Sequence, residues 1–228
     1  MDYIYEENTK VELVKTFEKS SFKIPYISSI FSTDFFKKYK ECSKYLKNIF
    51  ADGFQWHDIA DIMTLIMNYF SDFSNSSAVE RRDSILKVFD LFIDITDTPF
   101  LPDAIFDPIF KSIASSLAHL IVPDDPNEFV PDFIFDHEIS EDEISLFTNQ
   151  LLLEFDSTIE FNDISSITKK IIKFINRYDS MSLELKKEAS LKIAESVIDS
   201  SSSTEIEGVD SKNIIKELTT SFIIQLLK

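Results

Sequence analysis

Glycine and cysteine are scarce in this chain of 228 residues, which has two glycines and one cysteine, Cys42. Loops that cradle phosphate groups or dinucleotides need glycines, because a larger residue keeps the backbone away from the ligand. A single cysteine excludes an internal disulfide and a zinc site built from cysteines. These shortages argue against a cofactor-dependent enzyme, and we expect a protein of a reducing, intracellular (cytoplasmic) compartment.

Basic residues are outnumbered, because 23 lysines and arginines stand against 40 aspartates and glutamates, for a formal net charge of −17. A surface of this sign repels the phosphates of nucleic acids and the headgroups of anionic membranes. We therefore expect no direct binding to nucleic acid. The acidity either keeps the protein in solution or forms a binding surface, and the sequence leaves both open.

Long hydrophobic runs are missing too, so no membrane span of roughly 20 residues is expected. Residues 1–10 are acidic and polar, unlike a secretory signal. Hydrophobic residues nevertheless make up 44% of the chain and include 22 phenylalanines. This composition indicates a folded protein with a phenylalanine-rich core.

Apolar residues recur with helical spacing along most of the chain. Ile59, Ile62 and Ile66, for example, lie on one face of a predicted helix over residues 58–73. No comparable stretch alternates between apolar and polar residues, as a half-buried strand would. The pattern therefore predicts an all-α fold.

Helix ends are marked by specific residues. Residues 77–80 and 140–143 have the spacing of a capping box, in which a serine and a glutamate three residues later satisfy each other's backbone amides. Asp107-Pro108 predicts the start of another helix. Gly53 predicts the end of a helix that begins near residue 34.

The chain contains two similar halves at a constant offset of 105 residues, without a gap. Identical residues recur as Asp58-Ile59 and Asp163-Ile164, Leu86-Lys87 and Leu191-Lys192, Ile93-Asp94 and Ile198-Asp199, Ile109 and Ile214, and Lys111 and Lys216. Self-similarity at a fixed offset is the sequence signature of a repeated structural unit. We therefore predict a tandem duplication of a four-helix unit, with the two bundles packed together.

The predicted organisation has four parts. Residues 1–33 form an N-terminal extension with a short helix near residues 8–19, and residues 34–122 form the first repeat. Residues 123–138 form an acidic, phenylalanine-containing linker that is expected to lie across the surface of one half. Residues 139–228 form the second repeat.

Four aspartates cluster around the connector between the last two helices of the first repeat. They are Asp94, Asp97, Asp103 and Asp107. Their spacing is not that of a calcium-binding EF-hand loop, and the glycine of such a loop is missing. We interpret them as capping and solvated residues.

Histidines and the cysteine offer no stronger site. His57 and Asp61 are one helical turn apart, but two ligands are too few for a stable transition-metal site. Cys42 lies on the inward stripe of its helix, where a thiol is unreactive. We predict no catalytic residue, no cofactor and no metal.

Partner contacts are predicted instead at two single-copy features. The linker carries three phenylalanines, Phe129, Phe133 and Phe135, in a run without lysine or arginine. The connector of the first repeat has no counterpart in the second repeat. Its candidate residues are Asp97, Pro99, Pro102 and Asp103.

The run from Ile93 to Asp103, Ile-Asp-Ile-Thr-Asp-Thr-Pro-Phe-Leu-Pro-Asp, is followed by Asp107-Pro-Ile-Phe-Lys111. These residues resemble a stretch of small, uncharacterised helical proteins of large double-stranded DNA viruses that infect algae and protists. The resemblance covers residues 85–122, and the second half departs from it at the connector. It implies a viral origin and a virion component, and it carries over no catalytic residue.

We therefore expect a non-enzymatic structural or interaction protein, such as a minor virion or assembly component, whose partners are other proteins or further copies of itself. The alternative is an acidic decoy that mimics nucleic acid and occupies a basic site on another protein. Salt would weaken a decoy's binding steeply and would affect apolar contacts little.

Overall fold

A computed structural model of the chain describes residues 33–51, 53–70, 77–96, 103–155, 158–203 and 210–228. The chain divides into two compact units, Met1–Lys40 and Glu41–Lys228. Residues 33–40 are the described part of the first unit, and they are helical. The helix predicted near residues 8–19 lies outside the described residues.

Helices make up most of the described chain, as predicted. The α-helices are α1 (Thr33–Ile49), α2 (Ile59–Tyr69), α3 (Ala78–Ile95), α4 (Asp103–Ile121), α5 (Glu141–Glu154), α6 (Ile164–Ile175), α7 (Leu183–Ser200) and α8 (Ser211–Leu226). One turn of 3-10 helix precedes α2 at Trp56–Asp58, and another precedes α6 at Phe161–Asp163. The mostly helical character is therefore confirmed.

A small parallel sheet interrupts the helical pattern. Strand β1 (Thr158–Ile159) pairs with β2 (Ser202–Ser203), with Thr158 opposite Ser202. A further isolated parallel bridge joins Phe135 to Tyr178. Two residues are too few to show the alternation that marks a strand, so the sequence pattern did not predict these pairings.

The predicted capping boxes are confirmed. The Ser77 hydroxyl accepts the amide of Glu80 at 3.2 Å, and the Glu80 carboxylate accepts the amide of Ser77 at 2.8 Å. Ser140 and Glu143 make the same two bonds at the same distances. The chain also turns at Gly53 after α1, where a φ of 92° favours glycine.

The predicted start of α4 at Asp107-Pro108 is wrong. The helix begins at Asp103 and carries Pro108 within it. A proline removes one backbone hydrogen bond, to the carbonyl four residues earlier, but its φ is compatible with a helix. The loss falls near the helix start, so the helix can begin one turn earlier than the proline indicates.

Two regions of the second unit pack on each other. We call residues 41–122 the first region and residues 139–228 the second region. In the first region, α2 and its 3-10 turn pack on α8. In the second, α6 and its 3-10 turn pack on α4, and α4 also contacts α8. The two contacts are thus reciprocal.

The core of the first region is rich in aromatic rings, as the composition predicted. Phe54 lies 5.3 Å from Phe92 and 5.5 Å from Phe110, measured between ring centroids. Trp56 stacks on Phe110 at 4.2 Å. The three phenylalanines are almost completely buried. Offset and tilted ring pairs of this kind add to the free energy gained from burying apolar area.

Candidate interaction surface

The segment between α4 and α5 lies across the surface of α6. We call residues 123–138 the strap. The Asn176 side-chain amide donates to the carbonyl of Phe129 at 3.1 Å, and the Phe135 amide donates to the carbonyl of Arg177 at 2.6 Å. Lys173 pairs with Asp132 at 3.1 Å. These contacts place the central part of the strap on the surface of the second region.

Arg82 holds the beginning of the strap. Its side chain is only 8% exposed, and its guanidinium donates to the carbonyl of Val122 at 2.8 Å and to the Asp124 carboxylate at 2.5 Å. His119 lies 3.4 Å from the same carboxylate. The hydrogen bond from Arg82 lowers the pKa of Asp124 below its usual value. A buried cation is thus paired where the strap leaves α4.

The end of the strap is held by a polar cluster at the start of α5. Glu143 accepts from the Tyr178 hydroxyl at 3.1 Å and lies 3.2 Å from His137. Its bonds to the backbone and hydroxyl of Ser140 come first in lowering the pKa of Glu143 to about 2. Burial raises the pKa of Tyr178 to about 12, and the neighbouring Glu143 adds to this shift. One carboxylate therefore caps a helix and fixes the strap.

Two of the three linker phenylalanines are partly covered by this anchoring. Phe129 and Phe135 are half-buried, and the Phe135 ring lies 5.1 Å from that of Tyr178. Phe133 is 49% exposed, although the Arg177 guanidinium lies 4.5 Å from its ring centroid. Phe133 and Phe135 also contact each other at 5.1 Å.

The most exposed apolar side chains of the strap were missed by the sequence interpretation. Val130 is 55% exposed and Ile134 is 64% exposed. The chain bends at Phe133, so a simple alternation of side chains along the strap does not identify Ile134 as an outward residue.

The candidate residues of the connector lie mostly outside the described part of the chain. Asp97, Pro99 and Pro102 lie outside the described residues. Asp103 is the first residue of α4, and its side chain is also outside the description. Their part in partner binding remains a prediction.

A shallow groove of about 440 Å³ contains the histidine and aspartate noted in the sequence. Lys228 pairs with Asp61 at 3.0 Å, and the Ser221 hydroxyl donates to the carbonyl of His57 at 2.5 Å. Lys216, also in the groove, pairs with Asp199 at 3.1 Å. Lys228 thus joins the chain after α8 to α2, Ser221 joins α8 to the 3-10 turn before α2, and Lys216 joins α8 to α7.

Similar ion pairs lie between the last two helices of each region. In the first region, Lys111 pairs with Asp94 at 2.9 Å, and burial raises the pKa of nearby Asp90 to about 6. In the second region, Lys216 lies 3.1 Å from Asp199 and 3.7 Å from Glu195. The hydrogen bond to Asp199 is the main cause of the raised pKa of Lys216.

Cys42 is completely buried, as its place on the inward stripe predicted. Burial raises the pKa of its thiol to about 12. The thiolate is the reactive form of cysteine, so a thiol with this pKa is a poor nucleophile at neutral pH.

Within the described ranges, no group of three or more histidine, cysteine, aspartate or glutamate side chains is placed to hold a metal ion. No helix in the described part of the chain is long and apolar enough to cross a membrane. Comparisons of the chain with protein families, curated proteins and solved structures find no match. Function must therefore be argued from the chain's own residues.

Proposed function

We propose that this protein is a non-enzymatic interaction protein that binds a protein partner through the outer face of the strap. The observation that carries the proposal is the cluster of exposed apolar side chains at Val130, Phe133 and Ile134, each about half exposed or more. Scattered single apolar residues are normal on a protein surface. Three of them within five positions of one segment, next to charged residues, are typical of a contact surface.

Anchoring makes the strap suited to binding. Backbone bonds to Asn176 and Arg177 and the ion pair with Lys173 hold its central part on α6. A segment that is already ordered loses less conformational entropy when a partner binds. The scaffold helices thus serve to present the exposed side chains in one arrangement.

The charges of the strap favour apolar contact over the decoy alternative. Asp124 pairs with Arg82, Glu128 with Lys169, and Asp132 with Lys173. A nucleic-acid mimic needs carboxylates that are available to a basic site. Three of the strap's six carboxylates thus already have cationic neighbours, which interrupts a row of phosphate-like charges and makes the acidic-decoy function the less favoured proposal.

We also propose that the second unit is a tandem duplication with pseudo-twofold packing. Helix α3, shifted by 105 residues, coincides with the bounds of α7, and the 3-10 turn Trp56–Asp58 coincides with Phe161–Asp163. The ion pair of Lys111 with Asp94 corresponds to that of Lys216 with Asp199. Reciprocal contacts, in which α2 meets α8 and α6 meets α4, are what a twofold relation between two similar units produces.

An experimental structure tests the duplication directly. Superposition of residues 44–122 on residues 149–227 should align α3 with α7 in the register of 105 residues and should relate the two regions by a rotation close to twofold. A best superposition in another register, or one that matches helices of different order, would contradict the duplication.

The proposed role as a minor virion or assembly component rests on the resemblance of residues 85–122 to viral proteins. It is compatible with a strap surface that binds another protein and has no catalytic role. Mass spectrometry of purified virus particles tests it, because a virion component should remain in the particle fraction through density-gradient purification. Recovery only from the infected cell would contradict a virion role and leave an assembly role.

Site-specific photo-cross-linking tests the proposed strap surface. A photoreactive amino acid at position 134 should yield a defined cross-linked product in cells that produce the full chain. The same group at position 79 is the matched control, because Val79 is 57% exposed on α3 and lies outside the strap. Equal products from both positions, or none from position 134, would reject the strap as the binding surface.

A further inference from the structure

We infer that the outer face of the strap binds a protein segment in which apolar side chains are flanked by lysine or arginine. This inference rests on the proposed function and names the chemistry of its partner. It follows from two features of the same surface, its exposed apolar side chains and the sign of the charges around them.

The apolar side chains require a partner with apolar groups of its own. Ile134 is 64% exposed, Val130 55% and Phe133 49%. Covering such side chains removes apolar area from water, which favours association in proportion to the area covered. Phosphate groups offer no apolar surface, so a nucleic acid would leave this contribution unused.

The charges around these side chains require a basic partner. The strap has six carboxylates and no lysine or arginine of its own, and Arg82, Lys169 and Lys173 pair with three of the six. Asp136 and Glu138 follow Ile134 closely, are exposed, and form no ion pair within the described residues. A lysine or arginine flanking the partner's apolar residues could pair with them, and complementary charges of this kind increase the rate and specificity of association.

The same charges disfavour a second copy of the chain. Each copy has a formal net charge of −17. Two strap surfaces facing each other would bring Asp136 and Glu138 toward the same residues of the other copy, and like charges at a contact are repulsive. An anionic membrane is disfavoured for the same reason.

Synthetic peptides and the full-length protein provide the test. The first peptide has a Leu-Ile-Phe-Leu block between pairs of lysines, the second has the same composition with lysines and apolar residues alternating, and the third replaces the lysines by glutamates. Isothermal titration calorimetry should show binding of the first peptide, clearly weaker binding of the second, and none of the third. Single-stranded DNA should not bind.

Variants locate the binding site. The double variant V130S/I134S should reduce affinity for the first peptide about tenfold, since two exposed apolar side chains are lost. Ile134→Arg should reduce it as well, by placing a positive charge against the peptide's lysines. Val79→Ser is the matched control and should leave the affinity unchanged, while circular dichroism confirms that all variants are folded.

Several results would overturn the inference. Equal binding of the first two peptides would show that net charge alone is responsible, and an equal loss in V79S would place binding elsewhere. Failure to bind the first peptide, together with a cross-link from position 134, would reject the basic partner and keep the strap surface. Failure of both experiments would reject the proposed function itself.

Discussion

Positions 105 residues apart in the two regions of the second unit carry different buried side chains. Phe54, Phe92 and Phe110 in the first region are at most 1% exposed, and their rings lie together. The residues 105 positions later are Ile159, Val197 and Ile215, which are also at most 1% exposed. These three pairs of positions are thus filled by rings in the first region and by aliphatic chains in the second.

Several aromatic rings of the second region form a series of contacts that ends at the strap, although Tyr178 itself is only 1% exposed. Phe147 stacks on Phe174 at 3.9 Å, and Phe174 contacts Tyr178 at 5.6 Å. Tyr178 in turn contacts Phe135 of the strap at 5.1 Å. Buried positions 105 residues apart can thus carry side chains of different kinds, and the ring contacts of Tyr178 connect the second region to the strap.

Truncation of a central ring should have the largest effect on the free energy of unfolding. Phe110→Ala should lower the free energy of unfolding by about 4 kcal/mol, because it leaves a cavity and removes ring contacts with Phe54 and Trp56. Ile215→Ala, the equivalent change in the second region, should cost about 3 kcal/mol. Urea denaturation measures both values, and an equal or larger loss in I215A would remove the distinction between the two cores.

The buried guanidinium of Arg82 should give the next largest effect. In Arg82→Lys, the side chain can no longer donate to the Val122 carbonyl and to Asp124 from two separate nitrogens. The change should lower the free energy of unfolding by about 2 kcal/mol. Position 187, which is 105 residues later, is a lysine, so the strap is held by a residue specific to the first region.

Arg81→Lys is the matched control for this variant. Arg81 is the preceding residue of α3 and is exposed, so its replacement should change stability by less than about 0.5 kcal/mol. Chemical denaturation and the rate at which a protease cuts the strap measure the effect of each variant. Similar values for R82K and R81K would show that Arg82 does not anchor the strap.

Sequence patterns predicted the helices and caps well, because each depends on residues close together in the chain. The capping boxes at Ser77 and Ser140 and the turn at Gly53 are local in this sense. The strap's exposed residues were missed because contacts with a distant residue, Arg177, decide which side of the strap faces the helices. Ile134 is exposed as a result of these contacts, and no neighbouring residue in the sequence indicates it. The start of α4 was misplaced because proline marks a preference that the rest of the helix can override.

A smaller effect concerns the pH dependence of stability, which should change in a variant of Asp90 and not in a variant of Glu195, the residue 105 positions later. Burial raises the pKa of Asp90 to about 6 from a usual value of 3.8, so the folded protein binds a proton more readily than the unfolded chain. Stability should therefore increase as the pH falls from about 6 to about 4. Asp90→Asn removes the cost of the partly buried charge and should stabilise the protein by about 1 kcal/mol at pH 7, a value reduced for solvent screening.

This gain should disappear below pH 4, where Asp90 is protonated in both the folded and the unfolded state. Glu195→Gln is the control, because the side chain of Glu195 is 55% exposed and lies 3.7 Å from Lys216. Removing it should lower the free energy of unfolding by less than about 0.5 kcal/mol, without any gain at neutral pH. Thermal unfolding from pH 4 to pH 8 measures both variants. A gain at pH 7 in E195Q as well as in D90N would mean that relief of the protein's overall negative charge, and not burial at one helix contact, is responsible.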